Sequence, residues 1–161
     1  MLEVLNEPRL WMQAVDNCAD PHGGAQSAIE YKVFHDALVS VGKPMVYAIW
    51  AVGFGKPWAW APKLGHYYRT AGDLGNRWGQ DNPNAPSGGA GVMYNYDIQQ
   101  AIPGIAAIGK TNGSFPFLDE LMVGMPKAIP HGPGDVGLTQ DEARTHFAIW
   151  CVDHTSNLRP V

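Results

Sequence analysis

Two kinds of apolar run alternate along this chain. Leu10 to Val15 is mostly apolar, lacks a helical period and stops at Asp16, which predicts a buried strand followed by the loop Ala19 to Gln26 with its Gly-Gly pair. From Ser27 the period changes. Ile29, Val33, Ala37, Leu38 and Val41 recur at helical spacing and form the expected inner face, Ser27 and Glu30 stand at capping-box spacing, and Gly42 with Pro44 ends the run. Met45 to Trp50 is apolar without helical period, as in a strand covered on both faces. Strand, helix and strand in succession make one βαβ unit.

The pattern continues beyond a Gly- and Trp-bearing loop, Ala51 to Pro62. His66 to Ala71 is short and aromatic, a third strand that ends at Gly72-Asp73. Gln80 to Gly91, rich in Pro, Asn and Gly, is a loop, and Tyr94 to Ile108 is helical with a kink or early end at Pro103. Leu118 to Val123 is the fourth strand expected. Thr139 with Glu142 repeats the capping box, and Ala143, Phe147, Trp150 and Cys151 mark the inner face of a last helix. A closed (β/α)8 barrel spends roughly 31 residues per unit. The 161 residues therefore supply about five units, too few for closure. The expected fold is α/β, an incomplete (β/α)8 TIM barrel in one domain over residues 1–161, with a small complete open-sheet protein as the alternative. The chain's end at Leu158 to Val161, where another strand is due, favours a piece of a longer barrel.

Composition narrows the partners. A hydrophobic share of 45% with 16% charged residues suits a globular domain, and a net charge of -4 without a Lys/Arg cluster gives no footprint for nucleic acid or an anionic membrane. A neutral, polar substrate fits better. The first ten residues carry Glu3, Glu7 and Arg9 and lack the apolar core of a signal peptide, and no apolar run approaches the roughly 20 residues of a bilayer span. Cys18 and Cys151 are far apart and form no CxxC, so both are expected as free thiols. His22, His35, His66, His131, His146 and His154 show no ligand spacing, and no metal is expected. Gly53-Phe54-Gly55 and Gly132-Pro133-Gly134 lack the strand-to-helix setting of a phosphate loop and are expected as turns.

The chemistry lies at two predicted strand ends. Asp16 and Asp73 are 57 positions apart, close to two βα units, so both open onto the same mouth of a barrel. Two acids facing one cleft are what glycoside hydrolysis needs, one as nucleophile or base and one as proton donor. Burial near a like charge raises the pKa of such an acid, and a cation such as Arg69 lowers it. Trp50, Trp58, Trp60 and Trp78 fall within one third of the chain, either as core or as a sugar-stacking surface.

The string Tyr67 to Trp78 (YYRTAGDLGNRW), preceded by Lys56 to Pro62 (KPWAWAP), resembles glycoside hydrolase family 27, the melibiase-type α-galactosidases. Val15-Asp16-Asn17-Cys18 is similar to that family's nucleophile strand end, and Leu121 to Gly124 with Leu138 to Trp150 to its late barrel. The resemblance runs from about Leu10 to Asp153 and implies the fourth strand to the start of the eighth. It implies Asp16 as nucleophile, Asp73 as general acid/base, Arg69 as a sugar contact, a carbohydrate substrate and no cofactor. Three positions depart from the pattern. Ala14 stands where the family usually has Lys, Trp50-Ala51-Val52 replace the usual reader of the sugar 2-position, and Phe117-Leu118-Asp119 keep only the last acid of Asp-Pro-Asp. Ala14, Trp50, Ala51 and Asp119 are accordingly the expected substrate-contacting positions. An N-acetylgalactosaminide, a β-L-arabinopyranoside or an α-glucan stand beside the α-galactoside as substrates, and a non-catalytic sugar-binding remnant is the rival class. In many relatives Cys18 would pair with an upstream cysteine that is missing here. Members of the family are often secreted. An open barrel has two unpaired edges, which implies a homo-oligomer or a missing barrel portion.

Overall fold

The computed structural model describes residues 12–16, 27–42, 44–79, 90–108, 113–125 and 136–155. Within them four strands, β1 (Met12–Asp16), β2 (Val46–Trp50), β3 (Tyr67–Arg69) and β4 (Phe115–Phe117), form a parallel sheet in the order β1-β2-β3-β4. Helix α1 (Ser27–Val41) joins β1 to β2, and two 3-10 turns (Pro57–Ala59 and Ala61–Lys63) lie between β2 and β3. Helices α2 (Val92–Gln100) and α3 (Ile105–Ile108) separate β3 from β4, and α4 (Gln140–Thr155) follows β4. Each strand lies beside the next in sequence. A doubly wound sheet reverses its direction of growth at a switch point, and this one does not, which is the winding of a (β/α) barrel.

Side-chain alternation divides the sheet into two faces. Val15 of β1, Tyr47 and Ile49 of β2 and Tyr68 of β3 pack with Tyr31 and Leu38 of α1 and with Ala51, Ala61, Trp58, Trp60 and Leu64 of the β2–β3 connection. The Tyr47 hydroxyl donates to the Tyr31 carbonyl at 3.2 Å, fastening the helix to the strand, and burial pushes the Tyr47 and Tyr68 phenols up. Ala14, Asp16, Ala48, Trp50, Tyr67, Arg69, Phe115 and Phe117 therefore take the opposite face. There the Tyr67 ring meets Phe115 and Phe117 at 5.7 and 6.2 Å, and Trp50 meets Phe117 edge-on at 5.2 Å. Gly53 (φ 87°) brings the β2 exit so close to β3 that a Cβ would lie 2.7 Å from the Thr70 carbonyl oxygen.

Several elements differ from the sequence pattern. Helix α1 turns Tyr31 and Leu38 inward and leaves Ile29, Val33 and Val41 exposed, because its apolar residues run around more than one face and spacing alone does not choose between them. The fourth strand is Phe115–Phe117, not Leu118–Val123. Pro116 is tolerated because β4 pairs with β3 alone among the described residues, and a proline is accommodated at such an edge. Beyond it the chain turns at Asp119, and Met122 packs with Leu74 and Val92 as part of a loop. The helix expected over Tyr94 to Ile108 starts at Val92 and breaks before Pro103 and Gly104 (φ 71°). Thr139 and Glu142 do form the second capping box: the Thr139 N–H donates to Glu142 Oε2 at 2.7 Å, and the Glu142 N–H to Thr139 Oγ1 at 3.3 Å. Phe147 of α4 is exposed, and the fully buried residue is His146. The loops expected at Ala19 to Gln26 and over most of Gln80 to Gly91 lie outside the described residues, as do Cys18, His22, His131 and Gly132-Pro133-Gly134.

Candidate active site

The four strands end on one line. Asp16, last in β1, is paired with Trp50, last in β2, and the β2–β3 register, carried one step past Ile49–Tyr68, sets Trp50 beside Arg69. Arg69, last in β3, is paired with Phe117, last in β4. By alternation all four side chains share the face opposite the helix layer. The C-terminal edge of a parallel sheet is where barrel enzymes keep their chemistry, since the loops that leave it can be varied without disturbing the strands.

Arg69 is the hub. Its side chain is 1% exposed, with Nη1 2.8 Å from Asp73 Oδ1 and Nη2 3.0 Å from Asp119 Oδ2. Asp119 Oδ2 also accepts the Leu74 N–H at 2.7 Å. The two acids differ in setting, with Asp73 79% exposed at the rim and Asp119 8% exposed beneath it. Burial raises the Asp119 pKa, while Arg69 and the N–H groups of Leu74 and Glu120 pull it back, and the Asp73 charge adds a further rise. Of the two acids that grip Arg69, Asp119 is thus the buried one. Asp16 too is exposed.

Asp119 has φ 119°, a conformation that side-chain-bearing residues rarely adopt and that persists only where surrounding contacts enforce it. The contacts are present. Trp150 Nε1 of α4 donates to the Asp119 carbonyl at 3.2 Å, and Asn95 Nδ2 of α2 donates to the preceding carbonyl, that of Leu118, at 3.1 Å. Asn95 Nδ2 also donates to the Gly72 carbonyl at 2.8 Å, next to Asp73, and one turn along α2 Gln99 Oε1 accepts the Thr70 hydroxyl at 2.8 Å. Asn95 and Gln99 are buried and are absent from the sequence-based expectations. A signal was present: Val92, Asn95, Gln99 and Ile102 follow the helical period of a buried face, and amides in that register must find partners.

The other expected positions divide. Trp50 is half-buried on the inner face against Phe117, and Ala14 is exposed on the same side. Ala51 is wholly buried in the helix-side cluster. Trp58 and Trp60 pack against that cluster as well, with Trp60 stacked on Tyr31 at 5.6 Å and its Nε1 donating to the Gly55 carbonyl at 3.0 Å. Among the described residues no group of His, Cys, Asp and Glu has metal-site geometry, and no helix is long and apolar enough to cross a membrane. Cys151 is a free thiol.

A barrel-wound α/β sheet with carboxylates and a buried arginine at its C-terminal edge defines the class of protein. No family profile matches the chain. The chain is 30% identical over 120 residues to "Alpha-galactosidase A" of Cellvibrio japonicus (strain Ueda107), covering 74% of itself and 26% of that protein. It is 27% identical over 149 residues to an "Alpha-galactosidase" of Saccharomyces paradoxus, covering 85% of itself and 29% of the relative. The crystal structure of alpha-galactosidase I from Mortierella vinacea superposes with a TM-score of 0.69 at 25% identity, over 87% of this chain and 35% of that one. Over the shared stretch the chain is a relative of the melibiase-type α-galactosidases, glycoside hydrolase family 27, and it spans between a quarter and about a third of the length of these relatives.

Proposed function

We propose that the chain is part of a retaining exo-glycosidase barrel, from the fourth strand to the start of the eighth, that removes terminal α-galactosides by double displacement. The observation that carries this reading is the shared line of Asp16 and Arg69 on one face of the sheet, with Asp73 held 2.8 Å from the arginine. Asp16 stands two strand spacings from Arg69, roughly 9.6 Å of backbone separation. The gap suits carboxylates that lean together to the 5 to 5.5 Å or so of a retaining pair. Asp16 attacks the anomeric carbon while the Asp73 carboxylic acid protonates the departing oxygen. Water, deprotonated by Asp73, then releases the sugar and frees Asp16. The exposed setting of Asp73 gives it access to that water, and Arg69, its charge balanced by the buried Asp119, holds Asp73 in place.

Trapping with an activated fluorogalactoside followed by peptide mapping tests this assignment. The label is expected on Asp16, and label on another residue of an active sample refutes it. A second reading, a sugar-binding module without turnover, is favoured by Ala14, which offers no ammonium to sugar hydroxyls where relatives usually have Lys. That reading predicts galactose binding without hydrolysis, unchanged by Asp73→Asn.

A further inference from the structure

We propose that Asn95 is a positioning residue for the acid cluster, its single amide nitrogen setting the distance between the loop that carries Asp73 and the loop that carries Asp119. The inference rests on the glycosidase reading for its effect on turnover, though not for its geometry. Asn95 is fully buried, and its Nδ2 donates to the Gly72 carbonyl at 2.8 Å and to the Leu118 carbonyl at 3.1 Å. Each acceptor immediately precedes one of the two acids that grip Arg69. The amide has two N–H groups and both are used, so the nitrogen acts as a clip across the β3 and β4 exits. Among the described residues its Oδ1 is buried without a partner, so the hydrogen-bonding work at this position falls on the NH2 end. A flipped amide would set an oxygen against two carbonyl oxygens. The seat of the helix supports the clip. Helix α2 opens at Gly91, where a Cβ would lie 1.7 Å from the Gly79 carbonyl oxygen, so its first turn presses directly on the β3 exit loop. Gln99 repeats the attachment to Thr70 one turn later.

The consequence is directional. Asp119 cannot keep φ 119° or its hold on the Leu74 N–H if Leu118 drifts, and Arg69 then loses one of the two carboxylates that aim it. Asp73, exposed and held by Arg69, follows the arginine. Asn95 touches neither substrate nor reacting atoms and works through this chain of contacts.

The test uses Asn95→Asp and Asn95→Ser, with Tyr47→Phe as a variant that loses a buried hydrogen bond on the far face of the sheet. Nitrogen-15 spectra of the whole chain report the Leu74 amide proton, which is bonded to Asp119. It is expected to shift in both Asn95 variants and to stay in place in Tyr47→Phe. With nitrophenyl α-galactoside, Asn95→Asp is expected to lower kcat about 100-fold near neutral pH, the scale of an ångström-sized misplacement, with KM little changed. Its introduced carboxyl regains one O–H donor when protonated, so activity recovers part-way at low pH. Asn95→Ser, with one hydroxyl donor, is expected to fall between that variant and the parent. A Leu74 amide that does not move in a folded Asn95 variant overturns the proposal, as does an unmoved kcat and pH profile in an active one. If the parent shows no hydrolysis, the Leu74 amide alone decides the role of Asn95.

Discussion

Asp73 and Asp119 share one arginine, yet the same deletion at each has different consequences. Asp119 is buried, and removing it leaves the buried Arg69 guanidinium short of a partner and frees a strained backbone, so Asp119→Ala is expected to cost about 3 to 5 kcal/mol. Asp73 is 79% exposed, where water and salt screen the pair, and Asp73→Ala is expected to cost less than about 1 kcal/mol while lowering turnover. Urea unfolding of the two variants measures the contrast, and equal losses would contradict the unequal environments. The Arg69–Asp73 spacing was legible in the sequence because both residues fall in one short block. The register of Asn95 on a buried helix face was legible too, but what it holds was not, since its partners are the carbonyls of Gly72 and Leu118, and a backbone carbonyl leaves no trace in residue type.

At the scale of elements, the strongest local signals located α1, β2 and α4, while the choice of face depended on packing. Helix α1 carries apolar residues on opposing sides, and Tyr31 takes the core because its ring stacks on Trp60 and its carbonyl accepts the Tyr47 hydroxyl. Tyr31→Ala is therefore expected to cost about 3 to 5 kcal/mol, the range for emptying an aromatic site. Val33, 64% exposed, is expected to change stability by less than about 0.5 kcal/mol when replaced by Ala. Thermal melts of the pair distinguish this face from the Ile29–Val33 face that spacing suggests. β4 was misplaced for a related reason. Phe115-Pro116-Phe117 contains a residue that argues against a strand in the middle of a sheet, and among the described residues this strand has a neighbour on one side, where a proline is accommodated. Thr139 and Glu142 needed no such context, because a capping box is closed by atoms three residues apart.

The whole molecule depends on how α4 closes over β4, and there a titratable group is buried with both ring nitrogens unpaired among the described residues. His146 is fully buried, one turn before Trp150, whose indole holds the Asp119 carbonyl. Burial pushes its pKa down to about 4, because the imidazolium would lose its water and gain no acceptor. The protons bound in each state set the direction of the effect. Above pH 6.5 the imidazole is neutral in both folded and unfolded chains and the fold has its full stability. Between pH 6.5 and 4 the unfolded chain binds a proton that the folded chain refuses, so stability falls as pH falls, by about 1.4 kcal/mol per pH unit. Below the folded value both states are protonated and the loss levels off near 3 kcal/mol, set by the gap between the two pKa values. Carboxylates titrate over part of the same range, so the measurable quantity is a difference. Denaturant unfolding from pH 7 to 4 should show a steeper loss for the parent than for His146→Met, which fills a similar volume and takes up no proton. Parallel curves would mean that His146 gains a proton without leaving its site, and that the seat of α4 on the Asp119 loop does not depend on a neutral ring.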